Sequence, residues 1–348
     1  MDRVRVLLVD DSKFIRMALR KVLEEVKDVE VVGEARDGEE AVRLALELKP
    51  DIITMDIVMP KMDGVRAIKE IKRHMDVPII VISDHTTEGA KITFEALEAG
   101  AVDFISKGSA KLKFDFSKVA EELVDKLRLY TRKKSERKPF SPQALKVQET
   151  KTQSAVDIVG IGVSTGGPKV LPVLIKNMGR LPVPVVIAQH MPPTFTKGLA
   201  EWLSKETHLR VEEGYDGMKL EGELFVVIPG GKNGSLERKN ESFILRVHEE
   251  PQTIVKPSAD VLFKSMAEKA KSPVALILTG MGNDGTEGAK KFKEKGFTVI
   301  VQEPSTCVVC GMPCSAIEAG AYTYIMPVEE MGKKVRELCG GLRHEVCS

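Results

Sequence analysis

The sequence predicts two α/β domains: a doubly wound, five-stranded parallel sheet over residues 1–130, and a mainly parallel α/β/α domain over 155–348, joined by a linker at 131–154. Three observations carry this reading. A length of 348 residues favours about two domains. Short apolar runs alternate with amphipathic segments of helical period, which implies parallel strands covered on both faces. Between the two series, "TRKKSERKPFSPQALKVQETKTQSA" (131–155) is rich in Lys, Gln, Ser and Pro, as a solvated linker is. Its "RKKSERK" reads as the solvated face of that linker rather than a binding patch.

In the first domain, "VRVLLV" (4–9) has the pattern of a buried strand, and "KFIRMALRKVLEEV" (13–26) has helical spacing. "VEVVGEA" (29–35) is the second strand and "GEEAVRLALEL" (38–48) the second helix. "PDIITMDIVMP" places a third strand directly before Asp56, and "MDGVRAIKEIKRHM" is helical. "VPIIVIS" is the fourth strand, followed by the helix "TTEGAKITFEALEAG". "AVDFIS" is the fifth strand and "FSKVAEELVDKLRLY" the last helix.

The second domain restarts with "VDIVGIGV", and "LPVPVVIAQHMPP" carries the next strand. "GELFVVIPGG" and "SFILRVHE" read as strands able to pair antiparallel, separated by the turn-rich "GKNGSLERKNE". "SPVALILTGMG" and "GFTVIVQEP" are buried strands, and "AYTYIMP" is a short last one. Helical spacing marks "TKGLAEWLSKET", "ADVLFKSMAEKA", "TEGAKKFKEK" and "VEEMGKKVRELC".

Hydrophobic residues make up 43% and charged residues 30%, as in an ordinary soluble protein. The balance of 52 basic against 51 acidic residues, net +1, recommends neither nucleic acid nor anionic lipid as a partner. "MDRVRVLLV" is a poor signal peptide, and no apolar stretch approaches the roughly 20 residues a bilayer requires. The expected location is the cytoplasm. Cys307, Cys310, Cys314, Cys339 and Cys347 all lie near the end of the chain. Only His344 could join them as a metal ligand, and a reducing compartment disfavours a disulfide, so they read as small buried apolar residues.

Strand ends carry the polar residues. Asp10 and Asp11 follow strand one, Asp56 strand three, Ser83 strand four and Lys107 strand five. In a parallel sheet these ends gather on one edge, where ligands bind. Ionised carboxylates there repel one another, and a hard cation, Mg²⁺ above all, relieves that cost through oxygen ligands from Asp10, Asp11 and Asp56. Asp56 is then a phosphoryl acceptor, with Ser83 and Lys107 contacting the phosphoryl oxygens. One such aspartate could be an ordinary loop residue; the full set at successive strand ends argues against that.

These motifs, "LLVDDSKFIR", "DIITMDIVMPKMDG" and "DFISKG", resemble those of response-regulator receiver domains. The resemblance implies a phosphoacceptor at Asp56, a Mg²⁺ site at Asp10, Asp11 and Asp56, and a histidine kinase as phosphodonor. One departure is Gly108, where the family usually has proline after the lysine. The family's aromatic switch position falls on Asp103 or Phe104.

"GIGVSTGGP" (160–168) suits either a nucleotide cradle or an exposed nucleophile. A dinucleotide site would want an acid after the next strand, but Gln189 and His190 stand there, and no Gly–Lys–Ser/Thr triplet exists. Ser164 instead sits in a glycine-rich bend that opens a helix, where backbone N–H groups face developing negative charge. His190 and Asp284 also follow strands, so all three converge on one sheet edge as a Ser–His–Asp relay requires. Singly they have plainer readings: a helix cap at Ser164, a loop histidine, and an Asp284 that caps the helix starting near Thr286. The order Ser…His…Asp and the absence of G-x-S-x-G set this apart from ordinary α/β hydrolases.

"GIGVSTGGP", "QHMPPTFTKGLAEWL", "PSADVLF", "LTGMGNDGTEGA" and "GMPCSAIEAGA" together resemble the chemotaxis protein-glutamate methylesterase (CheB) family. The resemblance implies hydrolysis of glutamate γ-methyl esters on chemoreceptor cytoplasmic helices with release of methanol, and deamidation of particular receptor glutamines. It places the nucleophile at Ser164, the base at His190 and the orienting acid at Asp284, with backbone near Met281 serving the oxyanion and Thr165 helping to position the histidine. The esterase chemistry needs no cofactor. Lys232 and Lys256 depart from the family's histidine and arginine, which touches substrate contacts and not the triad. The rival readings are a receiver-driven binding adaptor and a nucleotide-dependent enzyme.

Overall fold

The computed structural model describes residues 3–83, 86–107, 116–131 and 155–340. The chain divides into two units, residues 1–138 and 139–348. Most of the predicted linker, residues 132–154, lies outside the described residues, as do Gly108, His344 and Cys347.

In the first unit the apolar runs become strands because both of their faces are covered by helices. In order these are β1 (Val4–Val9), α1 (Lys13–Glu24), β2 (Val29–Ala35), α2 (Gly38–Leu48), β3 (Ile52–Asp56), α3 (Gly64–His74), β4 (Ile79–Ser83), α4 (Thr87–Glu98), β5 (Asp103–Ser106) and α5 (Phe116–Thr131). The sheet runs β2-β1-β3-β4-β5, every pair parallel. Leu7, Leu8, Ile52, Ile53 and Ile80 are wholly buried, each contributing about 1.5–3 kcal/mol. Ser12, Asp37, Asp63 and Thr86 start α1 to α4 by each accepting from the backbone N–H three residues on, worth about 1 kcal/mol each. Lys126 on α5 is buried against Asp103, Nζ to Oδ1 2.9 Å, and Phe104 meets Phe94 edge to face. The two candidate switch residues of β5 are thus both packed inward.

The second unit comprises β6 (Ile158–Val163), α6 (Gly167–Met178), β7 (Val185–Gln189), α7 (Pro193–Thr207), β8 (Arg210–Glu213), β9 (Met218–Leu220), β10 (Leu224–Val227), β11 (Asn233–Lys239), β12 (Ser242–His248), α8 (Ala259–Lys269), β13 (Pro273–Ile277), α9 (Thr286–Glu294), β14 (Thr298–Gln302), α10 (Gly311–Glu318), β15 (Tyr324–Met326) and α11 (Val328–Leu338). Seven parallel strands run β15-β14-β13-β6-β7-β10-β8, beside a small antiparallel sheet β11-β12-β9. Phe263 of α8 and Phe292 of α9 meet edge to face at 5.9 Å, both fully buried. No described helix is long and apolar enough to cross a membrane.

Three local expectations are corrected. The turn-rich stretch after "GELFVVIPGG" is mostly strand β11, paired with β12 from Asn233↔His248 to Lys239↔Ser242. Pairing with a neighbour overrides the turn propensity of its polar residues, and the turn shrinks to the pair after Lys239, where Asn240 takes φ 54°. "GELFVVIPGG" itself joins the large sheet in parallel as β10 rather than the hairpin. "GMPCSAIE" is helix α10, and Cys310 and Cys314 form a disulfide instead of standing as separate thiols. One helical turn separates them, so their side chains share a face and come within bridging reach. Cys307 is buried as expected, and burial pushes the half-buried Cys339 thiol up to about 11.

Candidate active site

In the first unit the parallel register brings the strand ends together. Asp10, Asp11 and Asp56 present oxygens within 4.8 Å of one another. Lys107 Nζ lies 3.1 Å from Asp10 Oδ2 and 3.0 Å from Asp56 Oδ1. Asp10, Asp56 and Lys107 are buried and Asp11 is exposed. Burial pushes the Asp56 carboxyl up to about 6, with Lys107 opposing and the neighbouring Asp10 charge adding to the rise. The Asp10 carboxyl is likewise raised, by burial first. Burial lowers the Lys107 ammonium, but Asp56 and Asp10 outweigh it and hold it above its ordinary value. Three hard oxygen donors with a surplus of negative charge form a set that fits a divalent cation. The Ser83 hydroxyl is engaged by α4: it donates to Gly89 O at 3.2 Å and accepts from Thr93 Oγ1 at 2.7 Å.

This carboxyl has a consequence for stability. The folded-state value of about 6 lies above the ordinary 3.8, so the folded protein binds this proton more tightly than the unfolded chain. The contribution is favourable below about pH 4 and is lost as pH rises through 6. Asp56→Asn is therefore expected to stabilise the first unit at pH 8 in metal-free buffer by about 3 kcal/mol, and not at pH 4. Hydrogen exchange across residues 3–107 against denaturant reads this; an equal effect at both pH values contradicts it.

In the second unit, β6, β7 and β13 are adjacent, and Ser164, His190 and Asp284 follow their C-terminal ends. Ser164 N–H donates to Thr279 O at 3.0 Å, and its carbonyl accepts from Gly167 N–H at 2.9 Å. The bend needs Gly166, whose φ of 84° is left-handed and whose Cβ would meet Val308. Helix α6 then begins without a side-chain cap, leaving its N-terminal dipole directed at the bend. His190 N–H donates to Val163 O at 3.0 Å, extending the β6–β7 ladder by one rung.

His190 Nε2 and Asp284 Oδ2 are 2.8 Å apart, both side chains nearly buried. Asp284 does not cap α9, whose cap is Gly285. It caps α8 from outside: Oδ2 accepts from Ala259 N–H at 2.6 Å, and Oδ1 from Ser258 Oγ at 2.7 Å and Asp260 N–H at 3.2 Å. Burial raises the Asp284 carboxyl, but the His190 hydrogen bond and charge, then Ser258 and Ala259, hold it below the ordinary range. It is thus a carboxylate with four donors, positioned by a helix N-terminus. Among the described residues no hydrogen bond joins Ser164 Oγ to the imidazole, a contact often long without substrate.

Met281 is 40% exposed, and no described residue accepts its N–H. Its neighbour Gly280 is pinned by Gly280 N–H to Val309 O at 3.0 Å and Met312 N–H to Gly280 O at 2.9 Å. The carbonyl of Thr165 accepts from Thr279 Oγ1 at 3.0 Å, and no described hydrogen bond runs from the Thr165 side chain to His190. Lys256 Nζ donates to Glu249 O at 2.7 Å, within its own loop, and Lys232 is exposed. Sequence reasoning missed Ser258, the buried Asn233 whose Oδ1 accepts from Ser258 N–H at 3.0 Å, Thr279, and Gln189. Ser258 left a signal, a serine directly before a helical period; the others left none.

A family model described as CheB methylesterase matches residues 159–335, and one described as response regulator receiver domain matches residues 6–114. A protein-glutamate methylesterase/protein-glutamine glutaminase of Thermotoga maritima is 43% identical over 97% of this chain and 99% of its own length. One from Carboxydothermus hydrogenoformans is 42% identical over 97% of this chain and 99% of its own. The crystal structure of the Thermotoga maritima CheB methylesterase catalytic domain is 40% identical, with a TM-score of 0.51, and covers 53% of this chain and all of that one.

Proposed function

Because the chain belongs to the CheB methylesterase family, a receiver joined to a protein-glutamate methylesterase, we propose that Ser164, His190 and Asp284 perform its esterase chemistry under the control of Asp56. The 2.8 Å pair of His190 and Asp284 beside the Ser164 bend is the observation that carries this reading. Asp284 takes the Nε2 proton in a hydrogen bond, which leaves Nδ1 of the imidazole as the base. Nδ1 removes the Ser164 proton as Oγ attacks the γ-carbonyl of a methylated receptor glutamate. The oxyanion is met by Met281 N–H and the α6 end of the bend. The imidazolium, stabilised by Asp284, then protonates methanol as it leaves. Water repeats the sequence on the acyl-enzyme and frees the carboxylate. A receptor glutamine differs only in its leaving group, ammonia, so the same residues serve deamidation.

In the receiver, Asp10, Asp11 and Asp56 would hold Mg²⁺, which supplies charge neutralisation for phosphoryl transfer. Asp56 accepts the phosphoryl group from a chemotaxis histidine kinase. Lys107 is already hydrogen-bonding distance from it, and Ser83 must leave Gly89 to read the phosphate. Phosphorylation shifts the population toward a form in which Ser164 is open to a bulky helical substrate.

Methanol release from a methyl-esterified receptor fragment, with and without a small-molecule phosphodonor, tests the whole reading. The expected result is basal release that rises on phosphorylation, with Asp56→Asn keeping the basal rate and losing the response. An unresponsive wild type removes the regulation, and no methanol at all removes the activity.

A further inference from the structure

The geometry points to Gln189 as a positioning residue that sets the spacing of Ser164 and His190, an inference that rests on the relay reading above. Gln189 ends β7 and is 2% exposed. Its Nε2 donates to Ser164 O at 3.0 Å and to His190 O at 3.1 Å. One amide therefore ties the main chain of both residues, just past the point where the β6–β7 ladder stops. Both neighbours are carbonyl oxygens, so only the NH₂ end of the amide can face them.

The other end of the amide shows what this insertion costs. Gln189 Oε1 is buried with no hydrogen-bond partner. A buried carbonyl without a donor is unfavourable, so Gln189 is a poor choice for packing alone. A Cβ on Gly167 would collide with that oxygen. The space for the amide thus exists only because residue 167 lacks a side chain, and Gly167 N–H bonds the same Ser164 carbonyl at 2.9 Å. The glycine-rich bend and the residue before the histidine form one clamp. The Asp284 network holds the Nε2 end of the ring; this clamp instead holds the distance between the ring's backbone and the nucleophile's.

The test uses the full chain and two variants. Gln189→Met keeps the bulk and removes the donor, whereas Gly167→Ala keeps Gln189 and pushes its amide aside. Methanol release from a methyl-esterified receptor fragment is measured per active site, titrated with a fluorophosphonate. Misplacing reacting groups by about 1 Å can cost about 10²-fold, so each variant is expected to lose about that much kcat with KM within about twofold. A purely structural role would instead lower the melting temperature and the titratable fraction, leaving kcat per site intact. Both variants within about threefold of wild-type kcat would overturn the inference. Should Gln189→Met not fold, Gly167→Ala decides by the same threshold. Ser164→Ala runs alongside: if it keeps the wild-type rate, the relay reading fails and Gln189 with it. If it is inactive while the other two variants hold, only Gln189's role fails.

Discussion

Ser164→Ala is expected to lower kcat for methanol release by about 10⁵- to 10⁶-fold, the cost of losing the nucleophile of a serine relay. The fold should survive. Every described hydrogen bond that Ser164 makes within the bend uses its backbone: its N–H to Thr279 O, its carbonyl from Gly167 N–H and Gln189 Nε2. The melting temperature should therefore match wild type, and the receiver should still take up phosphate at Asp56. A signalling adaptor would be indifferent to this change. Retention of more than about a hundredth of the wild-type rate, measured as methanol by a coupled oxidase, would rule out Ser164 as the nucleophile.

Asp284→Ala is the second large effect, with kcat down by about 10⁴-fold and KM little changed. His190 loses the acceptor that selects its tautomer and stabilises its charged form. This substitution, unlike the first, should also destabilise the protein. Ala259 N–H, Asp260 N–H and Ser258 Oγ lose their acceptor at the start of α8, and an unsatisfied donor costs about 1–3 kcal/mol. Part of that loss disappears in acid. Asp284 has its carboxyl held below the ordinary range, so its contribution is present above the unfolded-state value and fades as pH falls through the folded one. Denaturation of wild type and variant across acid and neutral pH should converge toward the acid end. A constant difference would mean that Asp284 stabilises α8 without its charge.

The five-strand pattern of the first unit was legible because its central runs, β1, β3 and β4, are largely buried and rich in Val, Ile and Leu. Strand ends then announced Asp10, Asp56, Ser83 and Lys107, and later Ser164, His190 and Asp284, since the C-terminal ends of parallel strands gather on one edge of a sheet. The hairpin β11–β12 was less legible. Its polar, turn-forming residues become strand only because β12 offers a matching ladder. The Cys310–Cys314 bridge was not legible, because it depends on the local helix α10, which brings the two side chains onto one face, and not on composition.

The sequence by itself determined the two α/β units, the residues at their strand ends and, through motif resemblance, the family. Tertiary structure alone decided what each residue leans on. Asp284 caps α8 rather than the adjacent α9, and Gln189 reaches back 25 positions to the Ser164 carbonyl through the gap at Gly167. The reason is physical. Burial and periodicity are properties of a residue and its near neighbours, so they are written locally. A hydrogen bond between strand ends depends on which strands the fold makes adjacent, and on a directional fit that no stretch of chain contains alone.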